Sequence, residues 1–165
     1  MNKLYNSVPI TKTDMKNQID ILKQAKAVAW ACRLNNTECV NNSKRIFSAY
    51  KNGTSVNKNL KVAIYCTALR HSDNVEEDWN FMWNKFQETK IATEQVTILW
   101  SLGCTTNEEL LIKYEDEYLH HAINESSQIR RQDSTLVFSS VISGHSDGFK
   151  IALRFLTANY QLMLS

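Results

Sequence analysis

Trp79, Met82, Trp83 and Phe86 recur at i, i+3, i+4 and i+7. That spacing places four large apolar side chains on one face of an α-helix. Glu77, Asn84 and Glu88 fall on the opposite face, and Asp73 and Asn74 precede the run as candidate caps, with acidic residues following as the helix dipole prefers. The stripe reads as core rather than as an aromatic cage for a ligand. It sits inside a longer stretch, Asn59 to Cys104, around which the rest of the chain is organised. Leu60 to Arg70 is apolar nearly all round: Val62, Tyr65, Cys66 and Leu69 form one stripe, and Leu60, Ile64 and Ala68 another. Such a helix is sandwiched between neighbours rather than laid on a surface. A third helix carries Val96, Leu99 and Trp100 and is predicted to stop at Gly103, in the usual C-terminal role of glycine.

Only four glycines and one proline occur in 165 residues, which favours long helices over strands and tight turns. The 43% apolar and 22% charged fractions are ordinary globular values, and the length suits one domain or slightly more. The formal net charge of +2 is small and reads as scattered, which argues against a nucleic-acid partner. No apolar run approaches the roughly 20 residues needed to span a bilayer. The opening MNKLYNSVPITKTDMKNQ has no apolar signal core.

Along the chain, Thr13 or Asp14 is expected to open a helix carrying Ile19, Leu22, Ala29 and Cys32, broken by Asn35 and Asn36. A second helix starts near Glu38, carries Val40, Phe47 and Tyr50, and ends at Asn52-Gly53. Thr106 to Glu109 matches the capping box T-x-x-E and opens a helix with Leu110, Leu111, Tyr114, Tyr118 and Leu119. Leu136 to Ile142 has strand propensity. No other segment offers it a strand partner, so it is read as a helix with Val137, Phe138, Val141 and Ile142 on one side. Ser143 to Gly148 reads as a turn, and a last helix carries Phe149, Ala152, Phe155 and Leu156. The pattern predicts an all-α fold of about eight helices in consecutive pairs. The later pairs begin near Asn57, Ala92 and Arg130, roughly thirty-five to forty residues apart, which fits a HEAT-like helical-hairpin superhelix.

Four cysteines, Cys32, Cys39, Cys66 and Cys104, allow three pairings. Cys66 lies in the first of the three central helices and Cys104 just beyond the third, where a bridge between them would staple the bundle. In a reducing compartment they would instead be core thiols. Four sequons place Asn35, Asn41, Asn52 and Asn124 as glycosylation candidates for a chain that enters the secretory pathway.

Five segments carry a family resemblance: LKVAIYCTALR (Leu60 to Arg70), EDWNFMW (Glu77 to Trp83), LGCT (Leu102 to Thr105), IRRQD (Ile129 to Asp133) and FLTAN (Phe155 to Asn159). In this order and spacing they resemble the C-terminal helical domain of aminopeptidase N-type zinc aminopeptidases, the group that includes the endoplasmic-reticulum aminopeptidases. The likeness covers nearly the whole chain and is weakest before Asn17. It implies a helical domain over residues 1–165 that packs on a peptidase domain, encloses a substrate chamber and helps bind peptide. It implies a parent protein in the secretory pathway or on the extracellular face of the plasma membrane, reaching the membrane only through other parts. It also implies the pairings Cys32–Cys39 and Cys66–Cys104. By loop-entropy reasoning these would contribute roughly 2.5 and 4 kcal/mol.

The family's zinc chemistry rests on HExxH with a distant Glu and on a GxMEN loop, and neither motif occurs here. The expectation is therefore a fragment, truncated at both ends, with no catalytic or metal-binding residue of its own. A zinc site of that class needs two His at i and i+4. His71, His120, His121 and His145 offer no such pair, and adjacent His120 and His121 point to different sides of a helix. No motif brings Ser, Cys and His together as a nucleophilic site. The remaining candidates are Arg130, Arg131, Gln132 and Asp133. Guanidinium groups bind carboxylates in a bidentate way, which suits a peptide facing the chamber. The competing structural reading is a helix cap with a salt bridge. The alternative for the whole chain is a free-standing helical-repeat module that binds another protein, in which case its exposed face would stay polar.

Overall fold

The computed structural model describes residues 2–14, 17–112, 118–124, 126–144 and 146–164. Every regular element among them is helical. The chain divides into two compact units, Met1–Ser72 and Asp73–Ser165, so the boundary falls inside the Asn59–Cys104 stretch.

The first unit contains α1 (Asn2–Ser7), α2 (Gln18–Arg33), α3 (Thr37–Lys51) and α4 (Lys61–Arg70). Asn17 opens α2, its side chain accepting the Ile19 N–H at 2.7 Å, so the cap stands a few residues later than Thr13 or Asp14. The helix ends where Asn35 takes φ 58°. There the Asn35 N–H donates to Cys32 O and the Asn36 N–H to Ala31 O, the paired bonds of a Schellman motif. Asn36 then caps α3 by accepting the Cys39 N–H at 3.0 Å. The same device ends α3: Gly53, at φ 92°, donates to Tyr50 O, and Thr54 to Ala49 O. A Cys32–Cys39 disulfide closes the short α2–α3 turn, with Cα atoms 5.1 Å apart. The Ser43 hydroxyl lies 3.3 Å from Cys32 Sγ inside the same buried corner.

Helix α4 packs against both α2 and α3, which is why it is apolar on more than one side. Ile64, Tyr65, Ala68 and Leu69 are buried, whereas Val62 is exposed. Tyr65 meets Phe47 edge-on at 6.2 Å and Tyr50 at 5.1 Å. The face of α2 that packs is Gln24, Ala27, Val28, Ala31 and Cys32. Ile19, Leu22 and Ala29, expected in the core, lie outside. Small residues let α2 approach its neighbours closely, while buried Gln24 donates to Pro9 O and Lys12 O at 2.7 Å each. These bonds tie down the N-terminal segment, whose Tyr5, Val8 and Ile10 are buried.

The second unit contains α5 (Val75–Glu88), α6 (Ala92–Leu102), α7 (Glu109–Ile112), α8 (Tyr118–Ile123), a 3-10 turn (Arg131–Asp133), α9 (Ser134–Gly144) and α10 (Gly148–Leu164). Trp79, Met82 and Phe86 are buried as the stripe predicted. Trp83 stacks between Trp79 and Phe86, with centroids 5.6 and 5.2 Å away. The Trp79 indole N–H reaches Leu102 O at 3.2 Å, fixing α5 against the end of α6. Helix α6 packs on α5 and α9, and α9 on α8 and α10.

Leu136 to Ile142 lies within α9, and the helical reading holds. Its core face is Val137, Ser140 and Val141, with Ile142 turned outward. In α10 the core face is Gly148, Ile151, Ala152 and Phe155, and Phe149 is exposed. Ahead of α7 it is Asn107, next to Thr106, whose side chain accepts the Glu109 N–H at 2.9 Å. Tyr114 and His145 lie outside the described residues.

Gly103 departs from its expected role. Its φ is −69°, an ordinary right-handed value. What requires glycine there is space: a Cβ would stand 2.1 Å from Ser140 Oγ and 2.8 Å from the Ser140 carbonyl carbon. Ser140 in turn donates to Val137 O at 2.7 Å and lies 3.3 Å from the Tyr118 hydroxyl. Tyr118 donates to Leu99 O, and its burial pushes the phenol far above its ordinary value.

Candidate functional site

The Ile129–Asp133 segment enters α9 through the 3-10 turn. Ile129 is buried and anchors it, while Arg130 takes extended backbone angles (φ −63°, ψ 140°) just before the turn. The Asp133 N–H donates to Arg130 O at 2.7 Å, folding the segment back on itself. This brings the Arg130 guanidinium onto the buried Asp133 carboxylate: Nε and Nη2 each lie 2.7 Å from Oδ2. Arg130 and Asp133 therefore form a local i, i+3 clamp that shields a carboxylate at the N-terminal end of α9, where the helix dipole favours negative charge. Arg131 and Gln132 are exposed between them. Of the four candidates, Arg130 pairs with Asp133 across the turn, and Arg131 and Gln132 lie exposed on it.

The described histidines sit apart. His120 meets the Phe155 ring edge-on at 4.8 Å, and His121 stacks on Trp83 at 4.7 Å, so the adjacent pair serves two different contacts. His71 belongs to the first unit, where burial, together with Arg70 and Lys44, holds its imidazole below the ordinary value. Arg70 is lowered in the same way by burial and by Arg33, and its Nη2 donates to Cys66 Sγ at 3.3 Å. Among the described residues no three His, Cys, Asp or Glu side chains are gathered closely enough to hold a metal ion. With no HExxH in the chain, the residues present do not fit the zinc site of the resembled family.

All four cysteines are oxidised: Cys66 and Cys104 are disulfide-bonded as Cys32 and Cys39 are, and no cysteine is free. The four sequon asparagines, Asn35, Asn41, Asn52 and Asn124, are all exposed. Asn52 Nδ2 donates to Ser48 O, and Asn124 Oδ1 accepts the Ser126 N–H.

Charge is distributed very unevenly, a feature that the small net value conceals. Residues 1–72 hold twelve Lys and Arg against three Asp and Glu, a formal +9. Residues 73–165 hold seven against fourteen, a formal −7. The scattered charge expected from the sequence is in fact a polarity between the two units.

Helices packed against their neighbours in the chain, oxidised cysteines and an arginine-carboxylate clamp at a helix entry define a disulfide-bonded, all-helical protein of the helical-repeat kind. The chain belongs to the ERAP1-like C-terminal domain family, whose family model matches residues 1–165. It is 29% identical to aminopeptidase N of Bos taurus over 149 residues, which is 88% of this chain and 15% of that protein. It is 30% identical to a membrane alanyl aminopeptidase of Heliothis virescens over 135 residues, 81% of this chain and 13% of that protein. Glutamyl aminopeptidase of Homo sapiens is 27% identical over 155 residues, 92% of this chain and 15% of that protein. The chain therefore spans about one seventh of the length of these curated relatives.

Proposed function

We propose that this chain is the part of an aminopeptidase that helps to enclose the substrate chamber and bind peptide while N-terminal amino acids are removed. The observation that carries this reading is the match of the ERAP1-like C-terminal domain family over residues 1–165, beside relatives named as aminopeptidases. Its partners would be the peptidase domain and the peptide substrate, with zinc held by the peptidase domain. Arg131 and Gln132, both exposed, are the groups of this segment that would meet a peptide carboxylate or carbonyl. The oxidised cysteines support a secretory or extracellular setting, where glycans at the exposed Asn35, Asn41, Asn52 or Asn124 would add bulk to the surface. The second bridge is assigned as Cys66–Cys104 from the same resemblance.

The test is kinetic and is made in the parent enzyme. Arg131→Ala and Gln132→Ala should raise KM or alter peptide-length preference with the melting temperature nearly unchanged. Arg130→Ala should lower the melting temperature, because it leaves the buried Asp133 carboxylate without its guanidinium partner, and Asp133→Ala should lower it less, because the exposed Arg130 returns to water. A loss of stability without kinetic change at Arg131 and Gln132 would remove them from the substrate face.

A further inference from the structure

The outer face of α2 is built unlike a solvent face. Ile19 is 73% exposed, Leu22 58%, Trp30 53% and Leu34, just beyond the helix end, 58%. On a helical wheel these four fall within one sector, opposite the packed Gln24, Val28 and Ala31. The same sector holds Lys23, Lys26 and Arg33, all exposed. The sole carboxylate of α2, Asp20, lies to one side and is half-buried. The face is therefore an apolar stripe threaded with cations, on a helix whose opposite side is already committed to the core. It belongs to the unit with a formal +9.

We infer that this face of α2 is a docking surface for an acidic amphipathic helix, one presenting an apolar stripe flanked by Asp or Glu. Aliphatic and indole side chains at helical spacing match the ridges of a second helix, which buries them as an isolated solvated helix cannot. Lys and Arg set among them have long stems that pack along apolar surface and heads that select carboxylates at the rim. A phosphate backbone would match the cations and leave Ile19, Leu22 and Leu34 against a charged, hydrated surface, so nucleic acid fits the face less well. A lipid surface would need the helix to stand clear at the edge of the molecule to insert its apolar groups.

The experiment uses the full chain and two synthetic helices with the same leucine stripe, one flanked by Glu and one by Lys, titrated by calorimetry. The Glu helix should bind roughly tenfold tighter than the Lys helix, with affinity falling as salt rises. Lys23→Glu with Lys26→Glu should abolish or reverse that preference. Trp30→Ala should weaken the Glu helix without changing which helix is preferred. Circular dichroism melts of the variants should overlay those of the parent chain, since all three side chains are exposed. Equal binding of the two helices would overturn the proposal. So would binding of neither, or exclusive binding of phosphatidylglycerol vesicles or duplex DNA included as parallel probes.

Discussion

At the scale of single residues, much of the specificity comes from positions where volume or a hydrogen bond leaves no choice. Gly103→Ala puts a methyl into the backbone and hydroxyl of Ser140, itself fixed by Val137. The change should cost roughly 2 kcal/mol or more by urea unfolding, because neither neighbour can swing aside. Tyr118→Phe removes the donor to Leu99 O and should cost about 1–2 kcal/mol in the same measurement. His71 supplies a pH dependence. Its Nε2 is buried without a partner among the described residues, and burial and nearby cations favour the neutral ring. With its folded pKa below the unfolded one, the unfolded chain binds the extra proton first. Stability is full above the unfolded value, near 6.5, and falls as the pH drops through the lower folded value. His71→Gln should therefore show a shallower loss of melting temperature between neutral and mildly acid pH than the parent chain. A parallel decline in both would assign the effect to other groups.

At the scale of elements, helix ends were read from sequence more reliably than helix faces. Asn35-Asn36 and Asn52-Gly53 stop α2 and α3 where expected, because a residue able to take positive φ is a local requirement visible in residue type. The inner face of α2 was not legible in this way. Ile19 and Leu22 are more apolar than Ala27 and Ala31, but the small residues go inward because a close helix contact excludes bulk. The α2–α3 turn carries its own covalent tie. Peptide mapping without reductant should recover Cys32 linked to Cys39, and the second link is expected between Cys66 and Cys104. Replacing Cys32 and Cys39 together by Ser should lower stability by roughly 2.5 kcal/mol by the loop-entropy argument.

At the scale of the whole molecule, the far-ultraviolet circular dichroism spectrum should be that of a nearly all-helical protein, given helices throughout both units. The purified chain should retain no stoichiometric zinc after dialysis and should leave aminoacyl chromogenic substrates uncleaved. Aminopeptidase chemistry needs a zinc-bound water, a general base and a group holding the free amine. The HExxH and GxMEN motifs that would supply them are not in these residues. Turnover that co-purifies with the chain and vanishes with a chelator would show a site elsewhere in it.

Residue order alone carried the helical class, the central Trp79–Phe86 stripe, the helix stops at asparagine and glycine, and the family. All of these are local patterns or patterns of spacing, set by backbone geometry within a few residues. The division at Ser72, the inward side of α2, the outward turn of Phe149 and the reason for glycine at 103 depended on which surfaces meet. So did the candidate site. The motif IRRQD is visible as a string, but its division into a clamped Arg130–Asp133 and an exposed Arg131–Gln132 follows from a single 3-10 turn. Packing sorts side chains by shape and by the room a neighbour leaves, and neither quantity is a property of the one-dimensional pattern.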